Sequence, residues 1–421
     1  MIIMDSKIAK LDHYPRYYRR LQQPTHESPK EKSAVLMSHP KMDIYRKLAK
    51  YLHTLPAGYP PTESGVEIDL LMVLFTEEEA ALALHLSLVN APPGAVARRA
   101  GQPAVDVEVK LDKMARKGLI AAQYKADSDP HYAISQFVIG FWEGQVDHLD
   151  PEAVRLFEIY GPIWFKQGPW KAFPQVRTIP IHETIPLATE VMAYEKAAAI
   201  LQSKDLIAVQ NCICRQEQAL LAQGCGKPLE TCLSFDNAAK NIITLGRGRE
   251  ISLAEALGIL EQALKAGLVL QPANSQDPIF MCACCDCCCG VLRQVKKEPN
   301  PTDLVMNAYT ASFDPTLCIQ CGACVEICPM AALVESHFEQ IQFDPVRCIG
   351  CGLCISWCPS GALVLALKPP DSQPRIPKNT TWTYLNLAER RGLNNLLANL
   401  WHIIRRQLMG VIKPLHHDDS R

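Results

Sequence analysis

The residues that can do chemistry are cysteines. Eighteen of them lie in this 421-residue chain, all after residue 211. They form three groups: Cys212, Cys214, Cys225 and Cys232; then Cys282, Cys284, Cys285, Cys287, Cys288 and Cys289 in the run MCACCDCCCG; then eight between 318 and 358. Thiolates are soft ligands that select zinc, copper(I) or iron–sulfur centres. Disulfide frameworks belong to small secreted chains with cysteines spread along them. These dense groups, with no secretion signal at the N-terminus, predict metal held in a reducing cytoplasm.

The third group is an internal repeat. FDPTLCIQCGACVEICPMAALV at 313–334 aligns with FDPVRCIGCGLCISWCPSGALV at 343–364, and each copy reads C-x2-C-x2-C-x3-C-P. Three thiolates spaced by two residues wrap three corners of an iron–sulfur cube, and the fourth points to the other cube. Cys318, Cys321 and Cys324 with Cys358 are therefore expected to hold one [4Fe–4S] cluster. Cys348, Cys351 and Cys354 with Cys328 are expected to hold a second. Gly322 and Gly352 let the backbone approach, Pro329 and Pro359 turn the chain, and Ile319, Ile327, Ile349 and Ile355 are expected to form an apolar jacket. The pattern resembles the bacterial two-cluster ferredoxin motif over about 313–365. Zinc sites rarely use four cysteines in this crossed way.

The other ten thiols exceed the four that one cube needs. They form a candidate pool for one or two further iron–sulfur clusters, with zinc or redox-active thiols as alternatives. Adjacent cysteines such as Cys284 and Cys285 do not easily bind one metal atom and are expected to serve different ones. The leading arrangement places Cys212, Cys214, Cys225 and Cys232 on one cube and four of the 282–289 group on another, or else mixes the two groups. Arg215 and Lys227 are nearby positive charges that offset thiolates.

The elements that must position these residues follow from periodicity. DLIAVQ at 205–210 reads as a strand running into Cys212, and 251–270 as an amphipathic helix leading to a strand. VRTIPIHETI is strand-like, and TEVMAYEKAAAILQ is helical. The first two cysteine groups thus share one α/β unit, 176–295. Upstream, Thr76 with Glu77–Glu79 is a helix start, Gly101 and Gly118 close two helices, and GLIAAQYK and HYAISQFV make a hairpin across ADSDP. Val105, Val109, Leu111 and Met114 mark the apolar face of the helix before Gly118. Helices followed by a hairpin resemble a winged helix. Residues 65–140 hold seven Lys/Arg and ten Asp/Glu, a net of −3, and Asp106, Glu108 and Asp112 sit on the candidate recognition helix. Phosphate is repelled by such a surface, so docking is expected and DNA binding is not.

The expected fold class is α+β multidomain. It has an extension at 1–60, a winged-helix-like domain at 61–145 and a Cys-rich α/β iron–sulfur domain at 146–300. A two-cluster ferredoxin domain at 301–368 and a linker with an amphipathic helical tail at 369–421 complete it. In the tail, residues 389–413 carry five Lys/Arg and one Glu, with Leu393, Leu396, Leu397, Leu400, Ile403 and Ile404 at helical spacing. The alternatives are a helix docked on this protein or a partner subunit, and a basic helix on the cytoplasmic membrane face. No run of 18 apolar residues marks a membrane span, and no Gly-rich loop after a strand marks a nicotinamide site.

LFTEEEA at 74–80, CICR at 212–215, GCGKPLETCL at 224–233, MCACCDCCCG and the repeat together resemble a set of prokaryotic multi-cluster ferredoxin-type proteins, over roughly 40–365. The resemblance implies electron transfer through several [4Fe–4S] clusters to a redox partner. An electron carrier or redox-complex subunit is expected rather than a stand-alone enzyme. A redox-sensing transcription regulator and an oxidoreductase with a catalytic cluster in the central domain are the alternatives.

Overall fold

The computed structural model describes residues 41–125, 128–181, 196–336 and 340–392. The chain opens on helix α1 (Lys41–Thr54) and α2 (Val66–Leu74), and Thr76 then starts α3 (Glu77–Ala83). The reciprocal cap is formed: Glu79 N–H donates to Thr76 Oγ1 at 3.2 Å and Thr76 N–H to Glu79 Oε2 at 2.9 Å, satisfying two otherwise orphaned donors. α4 (Pro93–Ala100) is closed by Gly101 and α5 (Ala104–Arg116) precedes Gly118. Strands β1 (Ile120–Lys125) and β2 (Ser128–Ile134) pair antiparallel, and Ala91 bridges Tyr132 alongside. β2 begins inside the stretch expected to be the turn.

The buried face of α5 is Val107, Leu111, Met114 and Ala115. Val105 and Val109 are 73% and 66% exposed, which corrects their placement on the apolar face. An i, i+4 stripe starting at 107 excludes 105 and 109 by about a quarter turn or more.

Gly118 and Gly144 lock this unit to the next segment of chain. A Cβ on Gly144 would lie 2.2 Å from Gly118 O, and one on Gly118 would lie 2.1 Å from Gly144 O. Helix α6 (Pro151–Gln167), capped by Asp150, leads on to α7 (Ala197–Gln202). Residues 176–181 make only single bridges, to Ala273, Met306 and Leu270, so the expected strand there is a strap between two units. The start of the helix expected at 189–202 lies outside the described residues, as does 182–185.

The central sheet is built from β3 (Ile207–Asn211), β4 (Glu230–Phe235), β5 (Arg249–Ile251), β6 (Val269–Pro272) and β7 (Phe280–Cys284), in the order β5-β3-β4-β7-β6. Helix α8 (Ile213–Leu220) follows β3, α9 (Asp236–Thr244) follows β4, and α10 (Leu253–Lys265) follows β5. Every pairing is antiparallel. The expected α/β unit is thus built on a sheet with antiparallel pairing throughout: α8 joins the neighbours β3 and β4, while α9 carries the chain past β3 to β5 and α10 carries it from that edge to β6 at the other.

Helix α11 (Gly290–Lys297) leads to the C-terminal unit. There β8 (Tyr309–Phe313) pairs with β11 (Leu363–Leu367), enclosing α12 (Ala323–Ile327), β9 (Leu333–Glu335), β10 (Ile341–Phe343) and α13 (Leu353–Ser356). Residues 368–379 are not a free linker. Gln276 N–H donates to Pro377 O at 2.8 Å and Asp277 N–H to Lys378 O at 3.2 Å. The last described helix, α14 (Thr380–Arg390), stops before Gly392, at φ 102°, and so does not run on as one helix from 385. Its Arg391 donates to Leu55 O, clasping the end of α1. The expected tail helix beyond 392, with Leu393 through Ile404, lies outside the described residues.

Candidate metal centres

In the C-terminal unit each cysteine loop turns through a glycine in the left-handed region, Gly322 (φ 74°) and Gly352 (φ 76°), which a side chain would strain. Cys318, Cys321, Cys324 and Cys358 line one cleft. Cys328, Cys348, Cys351 and Cys354 line another. Each cleft takes three thiols from one copy and the fourth from the other. Backbone N–H groups point at the sulfurs: Gln320 to Cys318 Sγ at 3.4 Å, Ala332 to Cys328 Sγ at 3.2 Å and Ala311 to Cys348 Sγ at 3.4 Å. Although burial works against it, hydrogen bonds from Ser360 and its backbone neighbours lower the Cys358 thiol. Burial raises Cys351 and Cys354, so those thiols ionise at neutral pH only with a metal to neutralise them.

The two clefts differ in exposure. Cys321 is exposed, and Ile319, which lines the outer cleft, is itself 64% exposed, so the cover there is thin. Ile349 is 2% exposed and packs with Cys351 against the main core, which also contains Cys284, Cys285, Cys288 and Cys289. Ile181 N–H donates to Cys351 O at 3.2 Å, fastening the strap to this cleft.

The first two cysteine groups meet, as expected, and they interleave, as in the arrangement that mixes the two groups. Cys225 of the first group joins Cys285, Cys287 and Cys288, and the four sulfurs lie within 4.8 Å of one another. The remaining six form a chain of neighbouring thiols in the order Cys212, Cys214, Cys289, Cys284, Cys282, Cys232. Its end pair, Cys232 and Cys282, stands 3.7 Å apart. Strand geometry explains the split. Side chains alternate between faces of a sheet, so Cys282 and Cys284 point one way from β7, while Met281 and Ala283 point into the core. Cys285 follows on the opposite side and starts the tight turn that carries Cys287 and Cys288. Cys284 and Cys285 do part to different sets, as their adjacency predicts.

The six thiols lie along a cavity of about 270 Å³. Gln210 of β3 with Cys212 just beyond its end, Cys232 and Ser234 of β4, and Phe280, Cys282 and Cys284 of β7 contribute to it.

Arg215 is the charge partner of this nest. It is 4% exposed, and its guanidinium donates to Pro228 O at 2.8 Å, Thr231 Oγ1 at 2.5 Å and Ala283 O at 3.0 Å. Nε is buried without a hydrogen-bond partner. Although burial disfavours its charge, the Cys212, Cys285 and Cys284 thiols raise its pKa. Cys285, beside Cys288 and Arg215, is lowered to about 4. This concentration of thiols around a buried cation, with a compact four-sulfur set beside it, fits a thiolate-bound metal centre. Lys227 is half-buried.

Residues that spacing did not reveal complete the surroundings. Gln271 Nε2 donates to Cys289 Sγ at 3.6 Å. Arg293, on the helix after the cysteine run, forks onto Glu158 of α6 at 2.7 and 2.8 Å. Against its burial, that fork holds the Glu158 carboxyl down at about 2. Burial and Glu158 raise its neighbour Glu217. Glu143 also lines the cavity, and burial pushes it up to about 7. The one local signal was the i, i+2 pair Cys282 and Cys284, which share a face if the run is a strand.

Residues 317–362 match the 4Fe-4S dicluster domain family. The match spans all eight cysteines of the repeat, so the C-terminal region is a ferredoxin-type iron–sulfur domain in a chain of mixed helix and sheet. No curated protein and no solved structure matches the chain. Among the described residues, no helix is long and apolar enough to cross a membrane.

Proposed function

We propose that this protein relays single electrons through several iron–sulfur clusters to a partner, as a carrier or as a subunit of a redox complex. The observation that carries the reading is the gradient of burial along the cysteines. Cys321 and Cys318 sit at the surface or half-buried, the Cys351 cleft lies inward, and the ten-thiol nest packs on the same core. Bound clusters would supply one-electron redox chemistry. The crossed quartets are Cys318, Cys321, Cys324 and Cys358, and Cys328, Cys348, Cys351 and Cys354. In the centre, thiols drawn from the ten-cysteine nest hold one or two more clusters. What the chain itself contributes is N–H groups aimed at sulfur, the buried Arg215 cation, and apolar cover for the inner cleft.

The unit from α2 to β2 reads as winged-helix-like and as a docking module. Its exposed α5 surface carries Val105, Asp106, Val109 and Glu108, and three of its cations are matched locally. Lys110 pairs with Glu78, Arg116 with Asp112 at 2.7 Å and Lys117 with Glu79 at 2.7 Å. An apolar and acidic surface of this kind suits a protein partner rather than phosphate.

Iron, labile sulfide and zinc analysis of anaerobically purified protein tests the reading. About twelve to sixteen irons per chain support it. About eight irons limit the clusters to the ferredoxin pair. Zinc instead reassigns the compact Cys225 set, since tetrahedral zinc–thiolate sites have comparably close sulfurs.

A further inference from the structure

Four quartets use sixteen of the eighteen cysteines, and the geometry points to which two are left. We infer that Cys232 and Cys282 are a redox-active dithiol–disulfide pair that opens on the central cavity and takes a small disulfide with apolar substituents. The inference rests on the reading that the other nest thiols bind metal. Three observations select this pair. Cys232 and Cys282 are register partners on the neighbouring antiparallel strands β4 and β7. Antiparallel partners have Cα atoms about 4.5–5.5 Å apart, inside the range a disulfide spans. Their sulfurs already stand 3.7 Å apart. The pair also ends the chain of six thiols, so setting it aside leaves Cys212, Cys214, Cys284 and Cys289 as an unbroken set of four, beside the set of Cys225, Cys285, Cys287 and Cys288.

Both thiols line the cavity together with Val138, Ile242, Ile279 and Phe280. These walls suit apolar substituents. In the step, one thiol loses its proton and its thiolate attacks a sulfur of the bound disulfide, whose S–S bond breaks to release one thiol. The second cysteine attacks the mixed disulfide, closing the Cys232–Cys282 bond and releasing the second thiol. Two electrons and two protons pass from the pair to the substrate. The return takes two electrons and two protons, supplied by single-electron donors in two deliveries.

The test uses full-length, anaerobically purified and reduced protein with one equivalent of 4,4′-dithiodipyridine. Two equivalents of pyridinethione should be released, and peptide mapping should show a Cys232–Cys282 crosslink with iron unchanged. C232S should release one equivalent and retain a mixed disulfide on Cys282. C232S, C282S and the double variant should keep the metal content of the wild type. Loss of about four irons from the double variant, with a wild type fully loaded, makes the two residues ligands and overturns the pair alone. Wild-type protein with about eight irons, no zinc and ten reactive thiols overturns the quartet reading, and the pair falls with it.

Discussion

At the scale of single residues, Arg215 has the most to lose. Its guanidinium satisfies three oxygens while facing thiols in a buried site. Removing one partner from buried charges commonly costs about 3–5 kcal/mol. R215M should therefore lower iron per chain by about the content of one cluster and lower the melting temperature. R215K should rescue only partly, because an ammonium lacks the planar fork. Retention of full iron by R215M would show that the nest does not depend on this cation. The crossed ligation is tested by C358A, which should damage the centre of Cys318, Cys321 and Cys324 and spare that of Cys348, Cys351 and Cys354. Mössbauer or electron paramagnetic resonance spectra distinguish the two. Loss of the inner centre instead would reverse the assignment.

At the scale of elements, the cavity wall depends on the joint between Gly118 and Gly144. G144A places a methyl 2.2 Å from Gly118 O, and backbone has no rotamer by which to yield. Destabilisation of about 3 kcal/mol or more is expected, read as a drop in melting temperature, while G161A, whose methyl would meet the Phe157 ring at an ordinary 3.5 Å, serves as the control. The neighbouring Glu143 gives a pH signature. Its carboxyl is raised by burial to about 7, above its unfolded value near 4.3. The folded state thus holds a proton that the unfolded state lacks in that interval, and stability falls as pH rises through it. E143Q should be more stable than the wild type at pH 8, by on the order of 1 kcal/mol once its partial exposure is discounted. At pH 4 it should show no gain. Equal gains at both pH values would mean the carboxyl does not titrate there.

At the scale of the whole molecule, the units are tied to one another rather than strung on linkers. Asp147 N–H donates to Gln216 Oε1 at 2.9 Å, linking the segment after the hairpin to α8 of the nest. Arg247 reaches Ala115 O, and Arg391 reaches Leu55 O. The unit from α2 to β2 is thus fastened to the domain that carries the thiol nest. Its net of −3 over residues 65–140 provides no counterion release on DNA. Mobility-shift measurements at low salt should show no binding to duplex DNA. Tight binding that weakens steeply with salt would promote the regulator alternative.

The repeat at 313–364 specifies its own chemistry, because three thiols two residues apart and a fourth after three more encode the crossed geometry in local spacing. The Thr76–Glu79 cap and the Gly101 and Gly118 stops were legible for the same reason: their physics lies within one or two turns of chain. The ten central thiols were legible as a nest but not as sets. Cys225 lies 60 residues from Cys285, and Cys232 lies 50 from Cys282; only pairing of β4 with β7 brings them together. The antiparallel order of the sheet, the exposure of Val105 and Val109, and the roles of Glu143, Glu158 and Arg293 were likewise set by tertiary packing. Each depends on which face of an element is covered by a distant segment, and no local pattern carries that information.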